Sequence, residues 1–446
     1  MNNNRRVKIV GGGLAGCEAA WQVAERGVNV ELYEMRPEKS TAVHCTEKLA
    51  EMVCSNSFGS KLPDRPRGAL LEEMRILGSL TAEIAEKSAV PAGGALAVDR
   101  DGFAKLMTDC IEKHPLIEVV REEIKTIPED GPVILASGPL TSPALSESIR
   151  AFTGSEFVSF YDAMAPIVAA DSIDMSKAFR QSRYDRGDLE EGDYVNCPMN
   201  REQYYNFAES LRSAERIKLH DFENEDKNYF EACLPLEVLV ERNPESLLFG
   251  PLTPKGLTNP HSPEKPCAVL QLRQDDFAGT LYNIVGAQTN LKWTEQKRVF
   301  RSVPGLESAE FIRYGQMHRN TFITAPEVLQ ATLQCRERED LFMAGQLAGV
   351  EGYICNSASG LLAGVNAARL VNGEAPLTLP AETMLGALAA YLAHAESKHF
   401  QPMKVNFGLL PPLENRPRKK RERKQAYAQR AISAMKDYVS SLPLHV

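Results

Sequence analysis

Val7, Ile9 and Val10 form a short apolar run of strand type at the start of the chain. Residues 14–26 then carry Leu14, Ala15, Ala19, Ala20, Val23 and Ala24, as a helix packed on a sheet would, and "VNVELYE" (28–34) reads as a second strand. An apolar strand ending in a small-residue turn recurs in "GPVILASG" (131–138). Another opens "DLFMAGQLAGVEGY" (340–353), where a glycine-rich loop follows and then an Ala/Gly-rich helix, "SASGLLAGVNAARL" (357–370). Between about 157 and 305 the pattern changes, with aromatic and charged residues interleaved. Pro198, Pro235, Pro251, Pro254, Pro260, Pro263 and Pro266 interrupt that segment, so few long helices are expected in it. Helical patterning returns in "AETMLGALAAYLAHAE" and "RKKRERKQAYAQRAISAMKDYV", with the irregular "FQPMKVNFGLLPPLENRP" between them.

Gly11, Gly13 and Gly16 stand between the first strand and the first helix as GxGxxG, and Glu34 closes the second strand. Strand, glycines, helix, strand and acid in this order make a dinucleotide-binding unit. Glycines let the backbone turn tightly and approach a pyrophosphate, the helix N-terminus offers it N–H groups, and the acid accepts from ribose hydroxyls. The motif's position near the start, its closing Glu34 and the two later strand–loop segments favour FAD over NAD. Ordinary strand-and-loop punctuation would suffice for either later segment alone. The expected cofactor contacts are Gly11, Gly12, Gly13, Leu14, Ala15 and Gly16, then Glu34, Met35 and Arg36, then Gly138, Gly345 and Gly352. The expected fold is α/β: a Rossmann-like FAD-binding domain of glutathione-reductase type with an inserted α+β substrate domain. The expected division is 1–156 and 306–446 for the FAD-binding parts, the latter with C-terminal helices and a basic segment, and 157–305 for the insertion.

Composition narrows the class. A chain of 446 residues has room for two or three domains at about 150 residues each. No window of 18 apolar residues occurs, and "MNNNRRVKIV" runs into a strand without a signal region, so a cytoplasmic protein without a membrane span is expected. Nine cysteines include no CxxC pair and none at zinc-finger spacing from histidines, which disfavours a dithiol reductase or a metal site. The net charge of −8 argues against a surface coated in basic residues. Residues 416–424, "RPRKKRERK", nevertheless hold seven basic residues. They read either as a solvated helix face or as a phosphate-contacting patch.

One thiol stands apart. In "LAEMVCSNSFGSK" (49–61), Cys54 is followed by Ser55, Asn56, Ser57 and Gly59, turn residues rather than core residues. Cys17, Cys110, Cys197, Cys267 and Cys335 read as inert small core residues.

The chain resembles the TrmFO family of folate- and FAD-dependent tRNA (uracil-5-)-methyltransferases. The resemblance is carried by "VKIVGGGLAGCEAAWQ", "AEMVCSNSFGS", "VPAGGALAVDRDGF", "DYVNCPMNREQYY", "YFEACLPLEVL", "TLYNIVGAQTNLKWTEQKRVFR", "YGQMHRNTFI" and "VNFGLLPPLE", in family order from end to end. More loosely it is similar to the longer GidA (MnmG) flavoproteins. The resemblance implies that methylenetetrahydrofolate supplies carbon, that FAD reduced by NADH or NADPH supplies electrons, and that C5 of the T-loop uridine at tRNA position 54 accepts the methyl group.

Uracil C5 is a poor nucleophile. A thiolate adding to C6 puts electron density on C5, and a base must then take the C5 proton. The resemblance implies that Cys54 and Cys233 share these tasks, with Cys233 leaning to nucleophile and Cys54 to partner. It turns Arg418, Lys419, Lys420, Arg421, Arg423 and Lys424 into candidate RNA contacts. Asp99, Arg100, Arg183, Asp185, His318 and Arg319 are softer candidates for folate, flavin or RNA, with structural ion pairing an equal reading. Cys355 and Asn356 stand where the family has acidic and small residues, which would place Cys355 near the flavin ring. No metal is expected, and a monomer is favoured. The same chemistry on ribosomal RNA, a flavin oxidoreductase without RNA, and an RNA-binding flavoprotein without methyl transfer are the alternatives.

Overall fold

A five-stranded parallel sheet organises the first core. Its strands are β1 (Arg6–Val10), β2 (Asn29–Tyr33), β3 (Ile117–Val120), β4 (Val133–Leu135) and β5 (Leu341–Met343), in the spatial order β5-β4-β1-β2-β3. The computed structural model describes residues 5–41, 43–154, 158–217 and 234–442, and for residues 158–163, 318 and 319 it describes the backbone alone. A late strand, β5, pairs with β4 in register Leu341↔Val133, so chain from both ends builds one sheet. Such a parallel sheet is covered on its faces by helices, and β4 and β5 are buried throughout.

Two of those helices explain the Ala/Gly composition. Helix α1 (Leu14–Ala24) packs on a long late helix (Tyr353–Val371). A Cβ at Gly360 would overlap the backbone of Ala15, and one at Gly364 would come within 2.5 Å of the Ala19 carbonyl oxygen. Small residues on this face let the two backbones approach closely. The late helix begins four residues before the 357 expected from sequence because Gly352, at φ 87°, turns the chain into it. Another helix, α2 (Pro66–Ile76), sends the buried carboxylate of Glu73 to the N–H groups of Met384 (2.7 Å) and Leu385 (3.0 Å). Those N–H groups open the helix Met384–His394, so Glu73 docks it against α2. Burial pushes the Glu73 carboxyl up to about 8 against the pull of those two hydrogen bonds.

A second core is built on a six-stranded sheet. Its strands, in spatial order, are Phe179–Arg180, Tyr194–Met199, Ala268–Gln274, Leu281–Ile284, Ile167–Ala169 and Phe311–Arg313. The described helices packed here are short: Arg201–Ser213, Leu236–Arg242 and α3 (Trp293–Phe300). The buried residues of the first core lie in 7–149 and 322–435, and those of the second in 165–309. Strand Val158–Ala163 leads into the second core and Met317–Phe322 leads out, and the two pair antiparallel.

Candidate active site

A cavity of about 420 Å³ opens beyond the carboxyl ends of β1, β4 and β5. Gly11, Gly13, Leu14 and Ala15 line it, as do Glu34, Met35 and Arg36, and Gly138, Gly345 and Gly352. Ten of the twelve cofactor positions expected from sequence therefore meet at one surface. Gly12 and Gly16 do not line it. Gly16 lets α1 pass the turn, since a Cβ there would overlap the Gly11 carbonyl oxygen. Gly12 donates its N–H to Glu34 Oε2 at 3.0 Å, and a Cβ on it would meet Leu49 Cδ2 at 2.6 Å.

The Glu34 carboxylate is held in place. Its Oε1 accepts from the backbone N–H (3.0 Å) and Nε (2.9 Å) of Arg36. Burial pushes this carboxyl up, but the hydrogen bonds and charge of Arg36 and the N–H of Gly12 outweigh burial and hold it below its usual range. Arg36 also pairs with Glu51 at 3.0 Å, so a buried acid–base–acid chain fixes the rim. His44 lines the same rim, and burial followed by the charge of Arg36 depresses its imidazole to about 4. It is neutral at physiological pH and can donate or accept a hydrogen bond without adding charge.

The walls fit FAD on three counts. A Cβ built on Gly13, Gly138 or Gly352 meets nothing within 4 Å, which leaves room for a ligand against the backbone. The N-termini of α1 and of the helix Tyr353–Val371 both open at the cavity without a side-chain cap, presenting N–H groups and positive dipole ends. Asn320 Oδ1 and Asn356 Oδ1 are buried without a hydrogen-bond partner among the described residues, and both residues line the cavity. Two orphaned acceptors call for donors on a ligand.

Cys54 lines the cavity, half-buried, on a loop clamped from three sides. The Tyr353 hydroxyl oxygen accepts the N–H groups of Cys54 (2.7 Å) and Ser55 (3.2 Å). Burial, and then the neighbouring Cys54, push the Tyr353 hydroxyl up, so it stays neutral and protonated. Arg273, buried on the second sheet, donates to Asn56 Oδ1 (2.9 Å) and Ser55 Oγ (3.2 Å). Arg100 donates to the Met52 carbonyl at 3.0 Å and pairs with Asp275 at 2.9 Å. The loop is thus a rigid joint between the two cores.

Cys233 lies outside the described residues. The described chain on either side of it is pinned to one loop segment, 288–290: Ile217 N–H donates to the Asn290 carbonyl (2.9 Å) and Leu236 N–H to that of Gln288 (2.8 Å). Gln288 lines the cavity. Glu237 strengthens this anchor by accepting from the Asn290 N–H (2.7 Å) and Thr289 Oγ1 (2.9 Å).

Cys355 does not line the cavity, although its neighbours Ile354 and Asn356 do. It is fully buried toward Val405, and burial pushes its thiol up to about 11. The expected approach of Cys355 to the flavin ring is therefore corrected: the third residue of a helix turns its side chain away from the mouth that the first residues face. Cys17, Cys197 and Cys335 are buried with raised thiols, and Cys110 and Cys267 are partly buried.

Asp99 caps the helix Arg100–Lys113 by accepting the Gly102 N–H, while Arg183 donates to Gln271 and to the Lys255 carbonyl. Asp185 accepts from Gln181. None of Asp99, Arg100, Arg183 and Asp185 lines the cavity. The side chains of His318 and Arg319 lie outside the described set. Among the described residues no group of three His, Cys, Asp or Glu is placed to hold a metal, and no helix is long and apolar enough to cross a membrane.

The basic run opens the helix α4 (Lys420–Ser441) away from the cavity. Arg418, Lys419, Lys420 and Arg421 are exposed, and Arg423 and Lys424 half-buried. Cations at a helix N-terminus oppose its dipole, and the first-turn acid Glu422, paired with Lys419 at 3.1 Å, offsets this in part. The segment before the helix ties it to the cavity. Met403 exchanges backbone hydrogen bonds with Gly349 and Glu351 (both 2.9 Å), Lys404 lines the cavity, and Phe407 stacks on Tyr427 at 5.8 Å.

Sequence reasoning missed Tyr353, Arg273, Asn320 and the cavity-lining cations Arg67 and Lys404. Asn320 stands inside a segment quoted for the resemblance and Tyr353 closes the glycine-rich segment 340–353, so both had a signal. Arg273 continues an apolar strand and had none.

Comparison with known proteins agrees with this geometry. The family described as glucose inhibited division protein A matches residues 6–375. A "Methylenetetrahydrofolate--tRNA-(uracil-5-)-methyltransferase TrmFO" of Enterococcus faecalis is 55% identical over 438 residues, covering 98% of this chain and 99% of the relative. Proteins of the same name from Listeria monocytogenes serotype 4b and Bacillus pumilus are each 54% identical, over 98% of this chain. Among solved structures, Aquifex aeolicus GidA in its form II crystal superposes with a TM-score of 0.69 at 16% identity, over 97% of this chain and 73% of that one. That likeness concerns the fold.

Proposed function

The chain belongs to the TrmFO methyltransferases within the family of glucose inhibited division protein A, and on that premise we propose that its cavity carries out folate-dependent methylation of uracil C5 in tRNA. The single observation that carries this reading is Cys54. A thiol on a rigid, half-buried loop lines the cavity whose other walls fit FAD. FAD, reduced by NADH or NADPH, supplies the electrons that turn the folate methylene into a methyl group.

The chain's own residues do the rest. The glycine turn and the N-terminus of α1 hold the pyrophosphate, and Glu34, kept ionised by Arg36, holds the ribose. Tyr353 and Arg273 fix the Cys54 loop. We assign the C6 addition to Cys233 and the proton transfer at C5 to Cys54, supported by the pinning of both flanks of the Cys233 segment beside Gln288. We assign the FAD-binding parts to 1–156 and 306–446 and the substrate side to 157–305. The reaction is placed in the cytoplasm, on a monomer without a metal.

The reading is tested with purified enzyme, methylenetetrahydrofolate, NADPH and unmodified tRNA or ribosomal RNA. Folate-dependent 5-methyluridine in tRNA is expected, and its absence there would sink the proposal. Activity on ribosomal RNA alone would move the substrate. The names borne by the relatives favour tRNA.

The basic run is read as an RNA contact because six cations cluster at this helix start against one acid, Glu422, which pairs with Lys419. Charge reversal at Lys419, Lys420 and Arg421 should weaken tRNA binding by about tenfold or more at low salt and flatten the dependence of affinity on salt. An unchanged slope in a salt titration would remove this patch from the interface.

A further inference from the structure

Three aromatic rings stack outward from the second core, the innermost, Phe311, packed against its buried residues. Trp293, the first residue of α3, lies on Tyr314 with centroids 5.2 Å apart and planes 12° from parallel. Tyr314 lies on Phe311 at 5.6 Å and 3°. Trp293 is 53% exposed although its ring lies on Tyr314. The Lys297 ammonium stands 5.7 Å from the centroid of the Tyr314 ring. Along α3 and its caps, Lys292 pairs with Glu215, Arg298 with Glu295, and Arg301 donates to the Ala309 carbonyl, so Lys297 is the cation that stands over the stack.

We propose that Trp293 is the outer surface of a base-stacking platform, on which an unpaired nucleotide next to the target uridine lies while that uridine enters the cavity. The proposal rests on the RNA-methylation reading above. A flat ring already held parallel to two others offers an unpaired base its π-face at little ordering cost. The Lys297 ammonium beside the Tyr314 ring attracts a phosphate flanking that base. Stacking of this kind accepts any base, as a scaffold for flipping requires.

Position supports the assignment. Gln288 and Asn320 line the cavity, and the platform is tethered to both. Trp293 follows Gln288 by five residues, so their Cα atoms are at most about 18 Å apart, and Tyr314 precedes Asn320 by six, at most about 22 Å. A strand with one base in the cavity therefore reaches the platform within a few nucleotides. A second copy of the chain fits less well, because a stable protein interface buries about 800 Å² on each partner and the exposed apolar group here is the Trp293 ring, between Lys292 and Thr294 in the chain.

The test measures equilibrium binding of unmodified tRNA by the FAD-loaded full chain across a salt series, for wild type, Trp293→Ala and Trp293→Phe. Flavin content and melting temperature of each variant serve as fold controls. Trp293→Ala should weaken binding about tenfold or more at every salt concentration with the salt slope unchanged, because stacking releases no counterions. Trp293→Phe, which keeps an aromatic face, should stay within about threefold of wild type. Binding by Trp293→Ala within twofold of wild type would overturn the platform. So would a wild-type dimer that Trp293→Ala splits without loss of RNA affinity. The function reading fails separately, in the methylation assay on the wild-type enzyme.

Discussion

Cys54→Ala is expected to abolish 5-methyluridine formation, a fall on the order of a thousandfold or more, while the protein keeps its FAD. The size follows from chemistry. Uracil C5 becomes nucleophilic only after a thiolate adds at C6, and the product is released only after the C5 proton leaves. Whichever task Cys54 performs, no neighbouring group on its loop replaces a thiol. Cys54→Ser should be as inactive, because a hydroxyl is far harder to ionise. Retention of FAD follows from structure. The loop is held through backbone N–H groups to Tyr353 and through Arg273 and Arg100 to its neighbours, contacts that alanine at 54 leaves intact. Cys233→Ala should match it in both respects. Flavin absorbance and mass spectrometry of digested tRNA read the two outcomes, and full methylation by either variant would defeat the two-thiol reading.

Much of this site was legible in the chain because its elements are local. The GxGxxG turn, the helix after it and the acid at the end of β2 fall within thirty residues, and the cavity forms where they place it. What escaped was contributed from a distance. Arg273 reaches Ser55 across more than two hundred residues, and its alternating strand context looks like any other sheet interior. Its role exists only because the two cores meet at the Cys54 loop. The position of Cys355 was misread for a related reason. Proximity in sequence to a cavity-lining loop does not fix direction, and within a helix each residue turns away from the last. The basic run was visible as charge, but only the observed helix start at Lys420 showed that its cations sit against the dipole.

The glycines of the first turn separate two effects that sequence treats as one motif. In Gly16→Ala the new methyl would overlap the carbonyl oxygen of Gly11, a backbone atom that cannot rotate away. The turn must open or α1 must shift from β1, at a cost of about 3 kcal/mol or more for overpacking of this kind. That shift also displaces the N–H groups at the start of α1, so the purified variant should melt earlier and carry little FAD. Gly13→Ala differs. Gly13 has φ −79° and ψ −172°, which alanine adopts freely, and its Cβ would meet nothing within 4 Å. The apoprotein should therefore melt as wild type does. Yet Gly13 lines the cavity where the backbone must approach the pyrophosphate, so its methyl takes space that the cofactor needs. FAD affinity should fall about tenfold or more. Titration of both apoproteins with FAD, beside thermal melts, distinguishes the cases: normal melting and flavin content in Gly16→Ala would show that the helix is not locked to the turn, and unaltered FAD affinity in Gly13→Ala would show that the pyrophosphate lies elsewhere.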